Sequence, residues 1–214
     1  MLDSYKHKGM RRGLIRKLRE KGIDQESILE AINRVPRHVF LDSAFAEHAY
    51  QDKAFPIGEG QTISQPYTVA FQTSLLEIKK GFKILEIGTG SGYQACVLME
   101  LGVDLYTIEF QEKLYHKAKL MLPKMGYKPH FFHGDGSKGL KEHALYDGII
   151  VTAGAPTIPD ELLAQLKPNG KLVIPVGDRK SQKMLRIIKD ETGKTQEEEY
   201  DNFAFVPLVG DKGW

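Results

Sequence analysis

Hydrophobic positions in the first part of the chain recur every three to four residues, the spacing of amphipathic helices. The pattern predicts a helix from Tyr5 to Lys21 that ends at Gly22. A second helix is predicted around the apolar positions between Ile28 and Val35, with Asp24 as its N-cap and Pro36 as its end. Because neither helix has a strand partner in the pattern, we expect the pair to cover one edge of a sheet.

Residues 36–66 follow neither a helical nor a strand period, and aromatic residues alternate there with prolines and glycines. A long irregular stretch of this composition is more typical of a functional loop than of disorder. It ends in the polar run GQTISQP at 60–66, directly before a helix predicted over Tyr67–Leu76. Ser64 can be interpreted as the N-cap of that helix, with Pro66 in its first turn. It can equally belong to a loop that lies over a ligand and turns hydroxyl groups and helix-start amides towards an anion.

From Lys83 onward short apolar runs alternate with helical patterns. The predicted strands are Ile84–Ile87, Asp104–Phe110, His130–His133, Tyr146–Thr152, Lys171–Val176, Met184–Asp190 and Phe203–Leu208. The predicted helices between them are Tyr93–Leu101, Lys113–Gly126 and Pro159–Leu166, with a turn at 167–170. This alternation predicts an α/β fold with a mostly parallel, doubly wound sheet of seven strands and right-handed crossovers. The last two strands lie too close for a helical crossover and are predicted to be antiparallel.

The run KILEIGTGSGY at 83–93 places a glycine-rich turn between a strand and a helix. Such glycines make a turn tight and let a ligand approach the backbone, although a plain tight turn would look the same. The spacing Gly-x-Gly-x-Gly differs from the dinucleotide fingerprint G-x-G-x-x-G. Glu86 is an acid at an apolar strand end; it either reaches solvent or meets a cation or a hydrogen-bond donor. The second possibility favours the ammonium and sulfonium groups of S-adenosylmethionine over a pyrophosphate. Glu109 follows Gly88 by 21 positions, the distance at which an acid meets ribose hydroxyls.

Composition adds few restrictions to this picture. The 214 residues suit one domain, and the net charge of +2 requires no polyanionic partner. The first 21 residues nevertheless hold eight basic and two acidic side chains, which suits either nucleic-acid contact or a solvated helix face. The single cysteine, Cys96, excludes an intrachain disulfide and is expected to be a small buried hydrophobe. Without a long apolar span or a signal-peptide core, the protein is expected to be soluble and cytoplasmic. The spacing of the histidines predicts no metal site.

Together, Glu86, the glycine turn, Glu109 and Asp135-Gly136 make the chain resemble the class I S-adenosylmethionine-dependent methyltransferases, which have a Rossmann-like fold. A closer resemblance, to the protein-L-isoaspartate O-methyltransferase family, covers nearly the whole chain in order. The motifs that carry it are RVPR at 34–37, GQTISQP at 60–66, EIGTGSGY at 86–93, GDG at 134–136, YDGIIVTAGA at 146–155 and FVPLV at 205–209. The Thr-Ile-Ser-x-Pro part is the specific one, since the glycine block is common to many methyltransferases.

The resemblance implies one catalytic residue, Ser64, near the methyl group and the substrate carboxylate. The cofactor-binding positions that it implies are Glu86, Gly88, Gly90 and Gly92 for the methionyl part, Glu109 for the ribose, Asp135 and Gly136 for the adenine, and Thr62, Ile63 and Val209 around the pocket. It also implies methyl transfer to the free carboxylate of L-isoaspartyl residues in damaged proteins, with S-adenosyl-L-homocysteine as product. The short stretch from Val209 to Trp214 is expected to leave little tail to cap the site.

We therefore expect one methyltransferase domain over residues 1–214. It would comprise a helical lead-in (1–36), a covering loop region (37–66) and a cofactor-binding core (67–214), and we expect a monomer without metal or membrane contacts. Two alternatives stay open. One is a nucleic-acid methyltransferase of the same fold, although TAGAP at 152–156 lacks the amide and aromatic residues expected for an amino-group acceptor. The other is a protein that binds S-adenosylmethionine without catalysis.

Overall fold

The computed structural model describes residues 3–214. The strands in this part of the chain are β1 (Phe55–Gly58), β2 (Gln61–Ile63), β3 (Lys83–Ile87), β4 (Asp104–Glu109), β5 (His130–His133), β6 (Tyr146–Val151), β7 (Leu166–Gly177), β8 (Gln182–Lys189) and β9 (Thr195–Phe203). The helices are α1 (Tyr5–Glu20), α2 (Glu26–Arg34), α3 (Pro66–Leu75), α4 (Tyr93–Glu100), α5 (Glu112–Lys124) and α6 (Asp160–Ala164).

Within residues 3–214, seven strands form one sheet in the order β5-β4-β3-β6-β7-β8-β9. The strands from β5 to β7 are parallel, whereas β8 is antiparallel to both of its neighbours, β7 and β9. The predicted fold class, including the antiparallel pairing of the last two strands, is confirmed. The direction in which strands are added changes at β3: β4 and β5 lie on one side of it, and β6 and the later strands lie on the other. In open α/β sheets a ligand binds beside such a reversal, at the carboxyl ends of the strands.

Two hydrophobic cores lie on the two faces of this sheet, because successive side chains of a strand point in opposite directions. Ile84 of β3 packs in one core with apolar residues of α1 to α5, whereas Leu85 and Ile87 pack in the other with Leu162 of α6. Burial of each such side chain contributes about 1.5–3 kcal/mol. Cys96 of α4 is fully buried in the first core, as predicted.

The first helix begins as the sequence predicts, and the second begins slightly later. The hydroxyl group of Ser4 accepts a hydrogen bond from the His7 N–H (3.3 Å) and caps α1. For α2 the predicted N-cap, Asp24, is wrong. The carbonyl of Gln25 accepts the first helical hydrogen bond, from the Leu29 N–H (3.2 Å), so Gln25 is the N-cap.

The two lead-in helices pack mainly on α3 and α4, so the prediction that they cover an edge of the sheet is wrong. Arg34 of α2 also pairs with Glu100 at the end of α4, with 3.4 Å between Nη1 and Oε2. The physical reason is that an amphipathic helix needs an apolar partner surface. The helical layer offers one, whereas an edge strand presents unpaired backbone N–H and C=O groups. None of the helices between residues 3 and 214 combines the length and the apolar character of a membrane span.

The stretch predicted to be irregular contains two short 3₁₀ helices, Arg37–Phe40 and Ser43–His48, and a small hairpin. In the hairpin β1 and β2 pair antiparallel, with Phe55 opposite Ile63 and Pro56 opposite Thr62. These strands are too short to show a two-residue period, so the hydrophobic pattern did not predict them. The hairpin leads directly into Ser64 and α3.

Two features of the C-terminal third differ from the prediction. Helix α6 is only five residues long, because β7 already begins at Leu166 and pairs there with Tyr146. The predicted turn at 167–170 is a bulge inside β7, since the register moves from Leu166 opposite Tyr146 to Lys171 opposite Gly148.

The last strand is also misplaced in the prediction: it is β9, Thr195–Phe203, and not the apolar run Phe203–Leu208. The polar β9 forms an edge strand because its glutamates pair with basic residues of β8. Oε2 of Glu198 lies 2.5 Å from Nη2 of Arg186, and Oε2 of Glu199 lies 2.5 Å from Nζ of Lys183. The apolar run instead leaves the sheet and crosses the carboxyl ends of the strands. There it forms an isolated bridge between Gly154 and Pro207.

Candidate active site

A glycine-rich turn between β3 and α4 forms the floor of a cleft at the carboxyl edge of the sheet. Gly88 has a φ of +93°, and a Cβ atom there would lie 2.5 Å from the hydroxyl oxygen of Thr152. That hydroxyl group donates to the carbonyls of Ile87 (3.0 Å) and Gly88 (2.7 Å), so the end of β6 fixes the start of the turn. Gly92 has a φ of +86°, and a Cβ atom there would lie 2.5 Å from a methyl carbon of Leu122. The glycines are therefore required by close packing as well as by backbone conformation.

Glu109 ends β4 at the rim of this turn and lines the cleft. One carboxylate oxygen accepts from the Gly90 N–H (2.7 Å), and the other accepts from the Gln111 N–H (2.8 Å). These bonds orient the carboxylate and leave lone pairs on both oxygens, since each carboxylate oxygen accepts two hydrogen bonds. Glu109 is thus an oriented hydrogen-bond acceptor in the wall of the cleft. The predicted contact to the two ribose hydroxyl groups requires such an acceptor.

Glu86 lies behind the cleft wall, fully buried on β3. Its Oε2 accepts from the hydroxyl group of Thr107 (2.6 Å), which lies opposite it on β4. The hydroxyl groups of Thr107 and Thr89 are in turn 2.6 Å apart, and Thr89 lines the cleft. Burial, reinforced by the nearby Glu109, raises the pKa of Glu86 to about 8, against the Thr107 hydrogen bond. The alternative that Glu86 reaches solvent is wrong; the side chain is neutral at pH 7 and connects to the cleft through two threonines.

Asp135 and Gly136 follow β5 at the far end of the cleft. Gly136 lines the cleft, and a Cβ atom there would lie 2.5 Å from a methyl carbon of Ile87. Asp135 instead holds the neighbouring backbone, since it accepts from the N–H groups of Ser137 (2.9 Å) and Asp211 (2.8 Å). Although its partial burial acts in the opposite sense, these hydrogen bonds hold the pKa of Asp135 below its usual value.

The C-terminal segment closes one side of the cleft. Backbone hydrogen bonds join Gly154 to Val206 (2.8 Å) and Leu208 to Gly154 (2.7 Å), which lays this segment along the loop after β6. Val209 lines the cleft next to it. The chain then folds back, and the indole N–H of Trp214 donates to the Gly154 carbonyl (3.1 Å). The last residues therefore pack on the loop that borders the site.

Ser64 lies in the polar loop between β2 and α3, where the cleft meets a second cavity. It is half-buried and is not the N-cap of α3, because that position is held by Gln65 and the helix begins at Pro66. Thr62, Thr152 and Val206 line both cavities together with Ser64. Ser64 is thus one of three hydroxyl-bearing residues, with Thr62 and Thr152, that line both adjoining cavities.

Most of the predicted site residues come together in this cleft. Those that line it are Thr62, Ile63, Ser64, Gly88, Gly90, Glu109, Gly136 and Val209. The other three, Glu86, Gly92 and Asp135, do not line it. Glu86 accepts from Thr107, the Gly92 N–H donates to the carbonyl of Thr89 (2.8 Å), which lines the cleft, and Asp135 accepts from the Asp211 N–H.

Comparison with known proteins gives a consistent result. The family model described as protein-L-isoaspartate(D-aspartate) O-methyltransferase (PCMT) matches residues 9–213. A protein-L-isoaspartate O-methyltransferase of Cytophaga hutchinsonii is 63% identical over 214 residues, covering 100% of this chain and 97% of that one. One of Flavobacterium psychrophilum is 57% identical over 213 residues, covering 99% and 100%.

The chain belongs to the protein-L-isoaspartate(D-aspartate) O-methyltransferase family.

Solved structures agree with this assignment. A protein-L-isoaspartate O-methyltransferase structure superimposes with a TM-score of 0.85 at 28% identity, covering 95% of this chain and 67% of that one. A Plasmodium falciparum structure described as a putative protein-L-isoaspartate O-methyltransferase in complex with S-adenosyl-L-homocysteine has a TM-score of 0.79. It is 25% identical and covers 95% of this chain and 98% of its own. The predicted family, enzyme class and cofactor, S-adenosylmethionine, are confirmed, and these relatives give no support to the nucleic-acid alternative.

Several polar residues in or next to the cleft of this family member were not assigned by sequence reasoning. Thr89 and Gln94 line the cleft, and the side-chain oxygen of Gln94 is buried without a hydrogen-bond partner within residues 3–214. Thr107 connects Glu86 to the cleft, and Thr152 fixes the glycine turn. The available signal was a polar residue inside an apolar strand or at its end, as for Thr107 and Thr152.

Much of the basic charge in the lead-in of this family member is paired with acids. The ion pairs are Lys6–Glu47, Arg11–Asp3, Arg19–Glu26 and Lys21–Asp52. Such pairs reduce the field that would attract a polyanion.

The metal prediction stays a prediction. Within residues 3–214 one group brings candidate ligand atoms within 4.8 Å of one another, namely Asp3, His7 and His38. Both carboxylate oxygens of Asp3 already accept from Arg11, at 3.2 and 2.9 Å.

Proposed function

We propose that the two adjoining cavities bind S-adenosylmethionine and an isoaspartyl peptide. The methyl group is transferred at Ser64 to the free carboxylate of the L-isoaspartyl residue. The family of the chain and of its relatives supports this assignment. The observation that carries the residue-level proposal is the shared wall of the two cavities, formed by Thr62, Ser64, Thr152 and Val206. In an in-line displacement the methyl donor and the acceptor carboxylate lie on opposite sides of the transferred methyl group. A wall shared by two cavities allows that arrangement, with the cofactor in one cavity and the peptide in the other.

The donor set of the cleft fits this cofactor. No lysine, arginine or histidine among the described residues lines the cleft, whereas Glu109 lies in its wall. The acid in its wall and the lack of basic side chains there favour a cationic ligand over a pyrophosphate. When bound, S-adenosylmethionine supplies an electrophilic methyl group on a sulfonium.

We assign Glu109 as acceptor for the ribose hydroxyls, and the turn of Gly88, Gly90 and Gly92 as the cradle of the methionyl part. Glu86 acts on that part through Thr107 and Thr89. Gly136 borders the adenine, Asp135 holds the adjoining backbone and is the acceptor proposed for the adenine amino group, and Thr62, Ile63 and Val209 close the pocket.

Little further chemistry is required of the protein. An aspartyl-type carboxyl group has a pKa of roughly 3.9 and is ionised at neutral pH, so no general base is needed. The protein must orient the carboxylate and exclude water, and orientation alone supplies on the order of 7–11 kcal/mol. A hydroxyl group such as that of Ser64 can orient a carboxylate by donating one hydrogen bond without neutralising it as a lysine would.

The second cavity is the proposed peptide site. It is lined by the polar loop that contains Ser64, by the start of α3 and by residues 201–206 at the end of β9 and beyond. An isoaspartyl residue carries an extra backbone methylene, which leaves its free carboxylate on the α-carbon, so recognition must read an extended peptide backbone. We further propose that the chain forms one domain with the three segments given above and acts as a cytoplasmic monomer without a metal.

The test is transfer of labelled methyl from S-adenosylmethionine to two peptides that differ only in Asp versus isoAsp. We expect base-labile label on the isoAsp peptide alone, since a methyl ester is hydrolysed by base. Label on neither peptide, with cofactor binding intact, would overturn the proposal and direct the search to a nucleic-acid acceptor. Label on both peptides would show that the enzyme does not discriminate the isoaspartyl linkage.

A further inference from the structure

Helix α3, which begins two residues after Ser64, has no local side-chain cap. Its N-cap, Gln65, makes no capping hydrogen bond, and Pro66 occupies the first helical position. The next N–H, of Tyr67, is donated instead to Oδ1 of Asp52 at 2.8 Å, from 15 residues earlier in the chain. A carboxylate that accepts at the second position of a helix does the work of an N-cap side chain. Asp52 is therefore a remote cap of α3.

Asp52 itself is held in place from two sides. Its other oxygen, Oδ2, accepts from Nζ of Lys21 at 2.6 Å, and its side chain is only 9% exposed. Nζ of Lys21 also lies 5.1 Å from the centroid of the Tyr67 ring. The fully buried Arg37 fixes the adjoining backbone, because it donates to the carbonyls of Ala49 (3.0 Å) and Lys53 (3.1 Å). The carboxylate thus presents a fixed acceptor to Tyr67.

Only Gln65 and Pro66 separate Ser64 from Tyr67, whose N–H is held by Asp52. Proline restricts its own φ and biases the preceding residue to extended conformations, so the connection has little freedom. On its other side Ser64 follows β2, which the hairpin holds in register with β1. If the Tyr67 N–H lost its acceptor, the connection between β2 and α3 would be held from one side alone.

We propose that Asp52 is a positioning residue for methyl transfer, whose hydrogen bond to the Tyr67 N–H holds Ser64 at the junction of the two cavities. This inference rests on the proposed role of Ser64. The essential property of Asp52 is its acceptor oxygen rather than its charge, because the bond to Tyr67 needs an acceptor. Asparagine retains that oxygen and is nearly as good a cap as aspartate.

The experiment compares Asp52→Ala and Asp52→Asn with the wild-type protein in the peptide assay, together with titration of S-adenosylhomocysteine. We expect Asp52→Ala to lower kcat about tenfold to a hundredfold, the scale of a misplaced reacting group, while the cofactor Kd changes about twofold or less. Asp52→Asn should restore kcat to within about threefold of wild type.

A matched control separates positioning from general stability. Ser4 caps α1 in the ordinary way and lies outside both cavities, so Ser4→Ala removes a cap elsewhere. We expect it to lower the Tm without changing kcat, when every variant is assayed well below its own Tm.

The inference is overturned if Asp52→Ala leaves kcat unchanged, if it weakens cofactor binding as much as it lowers kcat, or if Asp52→Asn is as impaired as Asp52→Ala. It is also overturned if Ser4→Ala lowers kcat equally. Failure of the wild-type protein to methylate the isoAsp peptide would instead refute the proposed function, which keeps the two failures distinct.

Discussion

Replacing Glu86 with glutamine should stabilise the folded protein, relative to wild type, increasingly as the pH rises. The side chain is fully buried, and burial raises its pKa to about 8. Its Oε2 accepts one hydrogen bond, from Thr107, and its Oε1 has no partner within residues 3–214. Glutamine has nearly the same shape, keeps a carbonyl acceptor for Thr107 and cannot ionise. The substitution therefore removes the titration, while the cost of burying the amide N–H groups is the same at every pH and does not affect the pH dependence.

The sign and size of the effect follow from linkage. Below the ordinary pKa of 4.5 the carboxyl group is protonated in the folded and unfolded states alike, and it adds no pH dependence. Between 4.5 and about 8 the unfolded chain ionises while the folded protein keeps the proton. Each pH unit in this window therefore lowers the wild-type free energy of unfolding by about 1.4 kcal/mol. At pH 7 the accumulated penalty is about 3 kcal/mol, and Glu86→Gln lacks it.

Urea unfolding of both proteins at several pH values between 5 and 8 measures this difference. We expect the free energy of unfolding of Glu86→Gln minus that of wild type to grow over the interval. The matched control is Glu142→Gln, which makes the same carboxyl-to-amide change at an exposed position and should show no comparable growth. A difference for Glu86→Gln that stays constant with pH would refute the neutral, buried state of this carboxyl group.

The same variant tests how Glu86 reaches the cofactor. Because the side chain lies behind Thr107 and Thr89, we expect Glu86→Gln to bind S-adenosylhomocysteine at pH 7 with a Kd within about threefold of wild type, well under 1.4 kcal/mol. Isothermal titration calorimetry measures this. A loss of more than about tenfold would show that an ionised carboxylate contacts the ligand directly.

Three further changes test other parts of the structure. Ser64→Ala should lower kcat in the peptide assay far more than it lowers the affinity for S-adenosylhomocysteine. Equal losses in both would indicate that Ser64 serves cofactor binding instead. Gly92→Ala should cost about 1–3 kcal/mol in urea unfolding, and more than Gly22→Ala, because both have φ near +90° but only Gly92 has Leu122 at its Cβ position. The fully buried Cys96, whose thiol pKa is raised by burial, should resist a thiol reagent until urea unfolds the chain; rapid labelling of the folded protein would contradict its burial.

The parallel core was predictable because its signals are local and complete. Phe131–Phe132 and Ile84–Ile87 are short, mostly apolar runs in segments bounded by turn residues, and the structure has strands there. The glycine turn could be located for the same reason, since strand, turn and helix are contiguous. The family motifs then identified most of the residues that line the cleft.

The last strand shows where the hydrophobic pattern fails. An apolar run normally marks a strand. Most of the run at 203–208 lies beyond β9 instead, and its residues 206–208 are part of the cleft wall. The polar β9 is a strand beside β8, where Arg186 lies opposite Glu198 and pairs with it, and Lys183 pairs with Glu199 from a neighbouring position. Charge complementarity between two strands cannot be recognised from either strand alone.

Glu86 and Asp52 illustrate a limit that belongs to polar side chains in particular. The sequence shows an acid and predicts that it needs a partner, yet the partner is set by tertiary register. Glu86 meets Thr107 because β3 and β4 are parallel neighbours in one particular alignment, and Asp52 meets the Tyr67 N–H across 15 residues of loop and hairpin. In both cases the partner leads towards the cleft, to Thr89 in one and to Ser64 in the other. We therefore propose that an acid outside the cleft acts on the site by holding the residues that line it.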